Sequence, residues 1–580
     1  MANKIKKLKL YYRALYKGEL LKKIEYKIKD IIKYFYIRNK IDKQHKHTQL
    51  KDIFLNINNN SIVSNSNIKE ENIKIFNEYS TYENIKDKLN TNKVFWRKVK
   101  LSNYNDVKTI WEYNRLQYLL PLALKYIKTR NDKYKDNIVE IIKKWEKSNE
   151  YEYSINWNSN LEVAKRAINI SLTLMILSDQ NLNQKYSNLL YLHAKHIYHE
   201  INYSNCCIPN NHVIGEATAL LLLSQIIDTK ENKKWYRKST KILEKYLAII
   251  DKDGVSIENS FTYQWFVTKM YILSLCFINN TKLFNKINTK INKSLNILKY
   301  IYINKDIYLN YGDNDDGFLY STNNYYNIVE DIKQYYDYFS QSIETDELKI
   351  YKKILEKFNQ SNIIQLKTND NKYFCNKKIF IYKDNENLIF FNAKNIEGHA
   401  HNDSLAINLI INKKEILLDS GTFSYNLNRQ ERSYYRGRES HTTIQLEDNN
   451  ATEIGTFRWI NNIKSYVDNI EENNEYIRVS GLIEQLCSRE IKIYKNKNLI
   501  EISDYINKDK LKTNWIMSKN SKVNKNKILI ENVEIKFNQK IKVQNNNIMI
   551  SKEYFSKKEA KKYTVESSNE LITTIKWNNK

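Results

Sequence analysis

The sequence predicts an all-helical body followed by an antiparallel β-sandwich, a multidomain α-then-β chain. Three observations carry this. The chain has 580 residues, more than a single hydrophobic core organises. Between about residues 93 and 300, apolar side chains recur at i, i+3 and i+4 over helix-length windows. After about residue 370 the period shortens to two, in short runs separated by Asn, Asp, Lys and Gly. Helices segregated from strands in this way imply separate domains, the second with its sheets packed face to face. The expected boundaries are 1–75 for a basic helical segment and linker, 76–365 for the helical domain and 366–580 for the sandwich.

The opening, MANKIKKLKLYYRALYKGELLKKIEYKIKDIIKYFYIRNK, is interrupted by charge every few residues and so lacks the apolar core of a signal peptide. It reads as a basic amphipathic helix or helix pair. Such a helix either docks on the main body or attaches peripherally to an anionic membrane face. No apolar run approaches the ~20 residues of a membrane span. The default compartment is therefore the cytoplasm, with the periplasm or cell envelope as the alternative. A low-complexity stretch, NINNNSIVSNSNIKEENIKIFNEYS, separates this segment from the body.

Within the body, NRLQYLLPLALKYI, LEVAKRAINISLTLMIL, YSNLLYLHAKHIYHEI, NHVIGEATALLLLSQII, WYRKSTKILEKYLAII and FTYQWFVTKMYILSLCFI predict helices joined by short polar connections, as in helical hairpins. Pro209 falls in a loop before a helix, and Pro121 marks a kink or a helix start. Beyond it, KKIFIYKDNENLIFFNAK, SLAINLIINKKEILLDSG, HTTIQLEDN, EYIRVSGLIE, REIKIYKNKNLIEISDYI and KILIENVEIKFNQKIKVQNNNIMI predict strands. Five cysteines, two of them adjacent, show neither metal spacing nor a disulfide framework. The net charge of +28 is spread along the chain with no nucleic-acid motif, which argues against nucleic acid and is compatible with an acidic polymer as partner.

Chemistry concentrates in EGHAHNDSLAINLIINKKEILLDSGTFSYN. His399 and His401 stand two apart, which in a strand puts both on one face. Asp419 follows the next expected strand, and His441 opens another. Two imidazoles and a carboxylate make a zinc-type ligand set, or else a hydrogen-bonded cluster that fixes the sheet. His399 and His401 are equally candidates for general acid–base work. The helical half offers Asn211 and His212 at a helix N-terminus with Glu216 one turn on, and Glu258 and Tyr263 near the start of another helix. Taken alone, Asn211 reads as a cap and Tyr263 as a core aromatic. YGDNDDG has calcium-like oxygens, but it is too short for an EF-hand loop and reads as a turn at the domain junction.

Taken together and in order, NNHVIGEA, DGVSIENSFTY, YGDNDDG, GHAHNDSLAINL, LLDSGTFSYN and RSYYRGRESHTTI resemble the heparinase II/III family of polysaccharide lyases. The resemblance runs from about Tyr79 onward, and the basic opening is similar to members encoded with surface-polysaccharide genes. It implies an incomplete (α/α) toroid before the sandwich and β-elimination at a uronic acid. It assigns Asn211 to carboxylate neutralisation and Tyr263 to base and acid, or acid alone. His399 becomes second base or neutralising partner, and His212 a support. His401, Asp419 and His441 match structural zinc ligands of some members, and no organic cofactor is expected. Glu216 and Glu258 are expected near substrate. Arg432, Arg436 and Arg438 form either a carboxylate or sulfate clamp or solvated loop charges. Gln264 stands where many relatives have His, and Thr442 where Asn is usual. Two rivals remain: a hydrolase on the same fold using Glu216 and Glu258, and a non-catalytic polysaccharide-binding or assembly factor.

Overall fold

The computed structural model describes residue 15 and residues 18–37, 48–57, 72–76, 78–323, 326–358, 366–368, 371–446, 451–461, 464–538 and 542–578. Much of the basic opening and of the low-complexity stretch lies outside the described residues. The helical body alternates two kinds of helix. Asn160–Leu177, Asn211–Ile226 and Phe261–Leu275 are apolar nearly all round, and almost every residue in them is buried. Between them come amphipathic helices. Asp132–Ser148, for example, buries only Ile138, Ile141, Ile142 and Trp145, one stripe at helical spacing. Asn232–Tyr246 and Thr281–Leu298 behave likewise. From Asn160 to Leu298, helices enclosed on every side and helices enclosed on one side make an inner and an outer ring, the toroid the resemblance implied. Pro121 sits in the first turn of Leu119–Thr129, where its missing N–H costs nothing.

The expected 75/76 boundary is not where packing changes. Gln49–Leu50 pairs with Ile227–Asp228, and Ile53, Leu55, Ile73 and Ile75 belong to the helical core. Glu19–Ile37 lies on the body as well. The fully buried Glu19 accepts from Arg458 Nη1 and Nη2 at 2.8 and 3.1 Å, and Tyr26 donates to the His199 carbonyl. Docking is thus realised for this helix, although Leu21 and Ile28 remain exposed. All five cysteines are free thiols. No described helix is long and apolar enough to cross a membrane.

The second body holds two eight-stranded sheets whose described strand pairs are antiparallel. One sheet runs Ser465–Glu472, Tyr476–Ile483, Cys487–Tyr494, Leu499–Ile506, Glu570–Trp577, Val533–Phe537, Lys527–Ile530, Lys522–Asn524. The other runs Lys542–Ile550, Lys558–Ser567, Leu511–Ser518, Lys414–Leu417, Ala406–Ile411, Leu388–Asn392, Ile379–Lys383, Tyr373–Cys375. Strands such as Tyr476–Ile483 bury alternate residues, so one face of each sheet meets the other across a shared core of Phe391, Ile407, Trp515, Val479, Ile491 and Ile502. The sheets approach so closely at Gly481 that a Cβ there would lie 2.8 Å from the Phe391 ring. The buried Arg489–Asp504 pair reaches across as well: Arg489 Nη1 donates to the carbonyls of Leu405 and Thr442, securing the loops beneath the cleft.

Three local expectations change. His399 and His401 lie in the loop 393–405 between two strands, not in a strand. Among its described residues, HTTIQLEDN supplies only the isolated bridge Ile444–Thr513. RQERSYYR is a helix, Arg429–Arg436, capped by Asn428.

Candidate active site

A cleft of about 1270 Å³ opens between the two bodies. Asn211, His212, Tyr263 and His399 all line it, together with Glu216 and Glu258. Asn210, not Asn211, caps its helix by accepting from the His212 N–H. That leaves the Asn211 side chain for other work. Glu258 Oε1 accepts from the Asn211 backbone N–H at 2.7 Å and from its amide at 3.3 Å, which fixes the amide's orientation. Burial raises the Glu258 carboxyl above its ordinary range, with His399 opposing. Burial also pushes the His212 imidazole down to about 4, so it is neutral at physiological pH.

Tyr263 stands in the first turn of Phe261–Leu275, where Ser260 accepts from its N–H and caps the helix. Its ring stacks on the His399 imidazole with centroids 3.6 Å apart and planes 14° from parallel. Its hydroxyl lies 3.0 Å from that of Tyr425. Burial holds the Tyr263 phenol well above its usual range, so it rests protonated. Gln264 turns away from the cleft and ties the preceding loop, donating to the Gly254 carbonyl and to Ser294. Thr442 likewise accepts from the Ile516 N–H and serves the sheet.

The two histidines share one partner, Asp313, from the YGDNDDG turn. His399 Nδ1 is 2.9 Å from Asp313 Oδ2, and His401 Nε2 is 3.1 Å from Oδ1. Arg432 Nη2 donates to Oδ2 at 2.7 Å, and Nη1 stands in ion-pair contact 2.6 Å from Oδ1. Burial alone would raise this carboxyl, but Arg432 and both imidazoles outweigh it and hold the group well below the ordinary carboxylate range. An ionised carboxylate only accepts, so each imidazole donates to it through that nitrogen and turns its other nitrogen away. His399 Nε2 lies 3.7 Å from Glu258 Oε2. His401 Nδ1 is buried and has no hydrogen-bond partner among the described residues. Gly312 lets the turn reach this place. Its φ is +65°, and a Cβ there would stand 2.2 Å from the Asn259 carbonyl and 2.9 Å from that of His399.

His401, Asp419 and His441 each offer a ligand atom within 4.8 Å of the others. His441 Nδ1 is 3.2 Å from Asp419 Oδ2. The orphaned His401 nitrogen and this N, N, O donor set fit a zinc ion. The Asp313–His401 bond is the outer-shell support such a ligand normally has.

The arginine clamp does not form in the cleft. Arg432 serves Asp313. Arg436 donates to Glu453, to the Thr456 carbonyl and to the carbonyls of Gly398 and Ala400. Arg438 donates to the carbonyls of Ile444 and Ser404. All three are buried behind the wall, because loop carbonyls crowded around two histidines need donors. Sequence reasoning missed Asp313, whose turn it read only as a junction, and Tyr425, visible in GTFSYN as one more aromatic.

The family model for the heparinase II/III N-terminus matches residues 13–347, and that for the heparinase II/III-like C-terminal domain matches residues 381–577. The chain belongs to the heparinase II/III family. It is a polysaccharide lyase with a helical toroid ahead of an antiparallel β-region. Among solved structures, a mutant of heparan sulfate lyase HepC from Pedobacter heparinus is similar at 14% identity and a TM-score of 0.58, over 89% of this chain and 85% of that one. The heparinase III product of the BT4657 gene is similar at 14% identity and a TM-score of 0.60, over 98% and 93%. At these identities the likeness is one of fold. No curated protein sequence matches. Within this heparinase II/III chain, both members of the Glu216 and Glu258 pair are already hydrogen-bonded. Glu258 is engaged by Asn211, and Glu216 accepts from Ser204 at 2.7 Å and Asn160 at 2.6 Å.

Proposed function

We propose that the protein cleaves a uronic-acid-containing polysaccharide by β-elimination, in the metabolism of a surface or capsular polymer. The observation that carries this is the meeting of Asn211, Tyr263 and His399, from two separate bodies, in one cleft. A uronate C5 hydrogen is barely acidic while the adjacent carboxylate keeps its charge. The Asn211 amide, oriented by Glu258, neutralises that carboxylate and the enolate-like charge that follows. The C5–H bond breaks toward the His399 Nε2 lone pair, which Asp313 holds in place through Nδ1. The C4–O4 bond then breaks, a C4–C5 double bond forms, and O4 takes a proton from the Tyr263 phenol. The buried, protonated state of Tyr263 and its contact with Tyr425 support its role as the acid. The net charge of +28 suits an anionic polymer.

We propose further that His401, Asp419 and His441 hold a structural zinc ion. Bound there, the metal supplies fixed positive charge that locks the loops carrying His401 and Asp419. Purified protein incubated with acidic polymers is expected to release an unsaturated uronide that absorbs in the ultraviolet. Tyr263→Phe and His399→Ala are expected to abolish that release with circular dichroism unchanged. Full activity in both variants would discard the mechanism.

A further inference from the structure

Arg432, Arg436 and Arg438 are withdrawn behind the wall, so substrate charge in the cleft is met by other cations, which include Lys27, Arg97 and Arg458 as well as a cluster on the helical side. On its helical side three cations, Lys108, Arg115 and Lys165, approach the carboxylates Glu112 and Glu162. Two of these cations are committed. Lys108 Nζ donates to Glu112 at 3.2 Å and to the Asp315 carbonyl at 2.6 Å. Arg115 spans both acids: Nε and Nη2 donate to Glu162 at 2.5 and 2.8 Å, and Nη1 donates to Glu112. Gln117 takes the remaining Glu112 oxygen at 2.8 Å.

Lys165 is left over. It lines the cleft from Asn160–Leu177 and is 1% exposed. Its Nζ makes no hydrogen bond or ion pair among the described residues. Its ammonium lies over the face of Phe266, 5.1 Å from the ring centroid. Phe266 stands one turn beyond Tyr263 on the same helix, their ring centroids 6.3 Å apart, so the ammonium is one ring removed from the phenol. A buried cation whose neighbouring acids are already satisfied costs folding energy unless something else meets it.

We propose that Lys165 is the anion-recognition group of this cleft, binding a carboxylate or sulfate on the sugar beside the reacting uronide. The inference rests on the lyase reading above and adds to it the group that selects for charge. Burial, reinforced by Arg115, brings the Lys165 ammonium down to about 7, so an arriving anion also draws a proton onto the amine.

The test is steady-state lyase kinetics of Lys165→Met and Lys165→Arg. The substrates are whichever of heparan sulfate, its fully desulfated form, alginate and polygalacturonate the wild type cleaves. Lys165→Met should raise KM about tenfold, the worth of one charge-assisted hydrogen bond, with kcat within about twofold. Lys165→Arg should keep most of the affinity. Loss confined to the sulfated polymer identifies sulfate as the anion, and loss on unsulfated polymers identifies carboxylate. Because no ion pair is broken, the melting temperature of free Lys165→Met should be unchanged or higher. Unchanged KM on every cleaved polymer would overturn the inference and leave the lyase reading standing. So would a lowered melting temperature shared by Lys165→Met and Lys165→Gln, which would make the residue structural. Absence of unsaturated product from wild-type protein on all four polymers would instead bring down the lyase reading and this inference with it.

Discussion

Asp313→Asn is the most informative single change. The substitution keeps shape and removes one charge. In the native protein that charge faces Arg432 through contacts of 2.6 and 2.7 Å, with both groups buried. Removing one partner of a buried ion pair strands the other, at a cost of ~3–5 kcal/mol. The Asn carbonyl still accepts one bond, so the lower figure applies, about 3 kcal/mol. For a body the size of the sandwich that is a fall of roughly 6–12 °C in melting temperature. Activity should suffer separately. His399 loses the acceptor that fixes its tautomer, and kcat should drop at least about 100-fold. The double variant Asp313→Asn/Arg432→Met separates the two effects: it removes the stranded guanidinium and should recover most of the stability, yet none of the activity. Thermal unfolding by circular dichroism and the ultraviolet lyase assay read the two outcomes. A single variant that melts with the wild type and turns over at a similar rate would refute the role given to Asp313.

Other consequences follow from the same geometry. Burial lifts Glu216 to about 8 from an ordinary 4.5, so the folded state holds a proton that the unfolded state has released. That contribution is intact below pH 4.5 and is lost as pH rises toward 8, on the order of 1 kcal/mol per pH unit. Glu216→Gln should flatten this slope in denaturant titrations at pH 5 to 8, and an unchanged slope would contradict the burial argument. His441→Ala or treatment with a chelator should release about one zinc per chain, measured by elemental analysis, and lower the melting temperature. A wild-type protein without zinc and indifferent to chelator would leave the three residues as a hydrogen-bonded cluster. Gly312→Ala puts a methyl against the Asn259 carbonyl in a left-handed backbone, so soluble yield or melting temperature should fall sharply. A variant as stable as wild type would mean that the turn has room to move.

Much of this molecule could be read before any coordinates. Period alone separates the two bodies, because an inner-ring helix is enclosed on every side and largely apolar over helix-length windows, and a sandwich strand must alternate. LEVAKRAINISLTLMIL and EYIRVSGLIE differ in just that way. The residues at the cleft were also legible as chemistry: Asn211, Tyr263 and His399 stand in motifs whose order along the chain carries the family. Their partners were not. Asp313 lies 86 residues from His399 in sequence, and nothing in YGDNDDG says which of its three aspartates will be enclosed. The arginines of RSYYRGRES looked like a clamp because local sequence shows charge but not direction. Direction is settled by desolvation, since a guanidinium entering a wall of carbonyls must spend its donors there. For the same reason the buried cation left over from the Glu112 and Glu162 cluster could not be chosen from sequence. Lys165 is one of 94 basic residues, and only the packing that joins Arg115 to Glu162 and Glu112 leaves it without an acid.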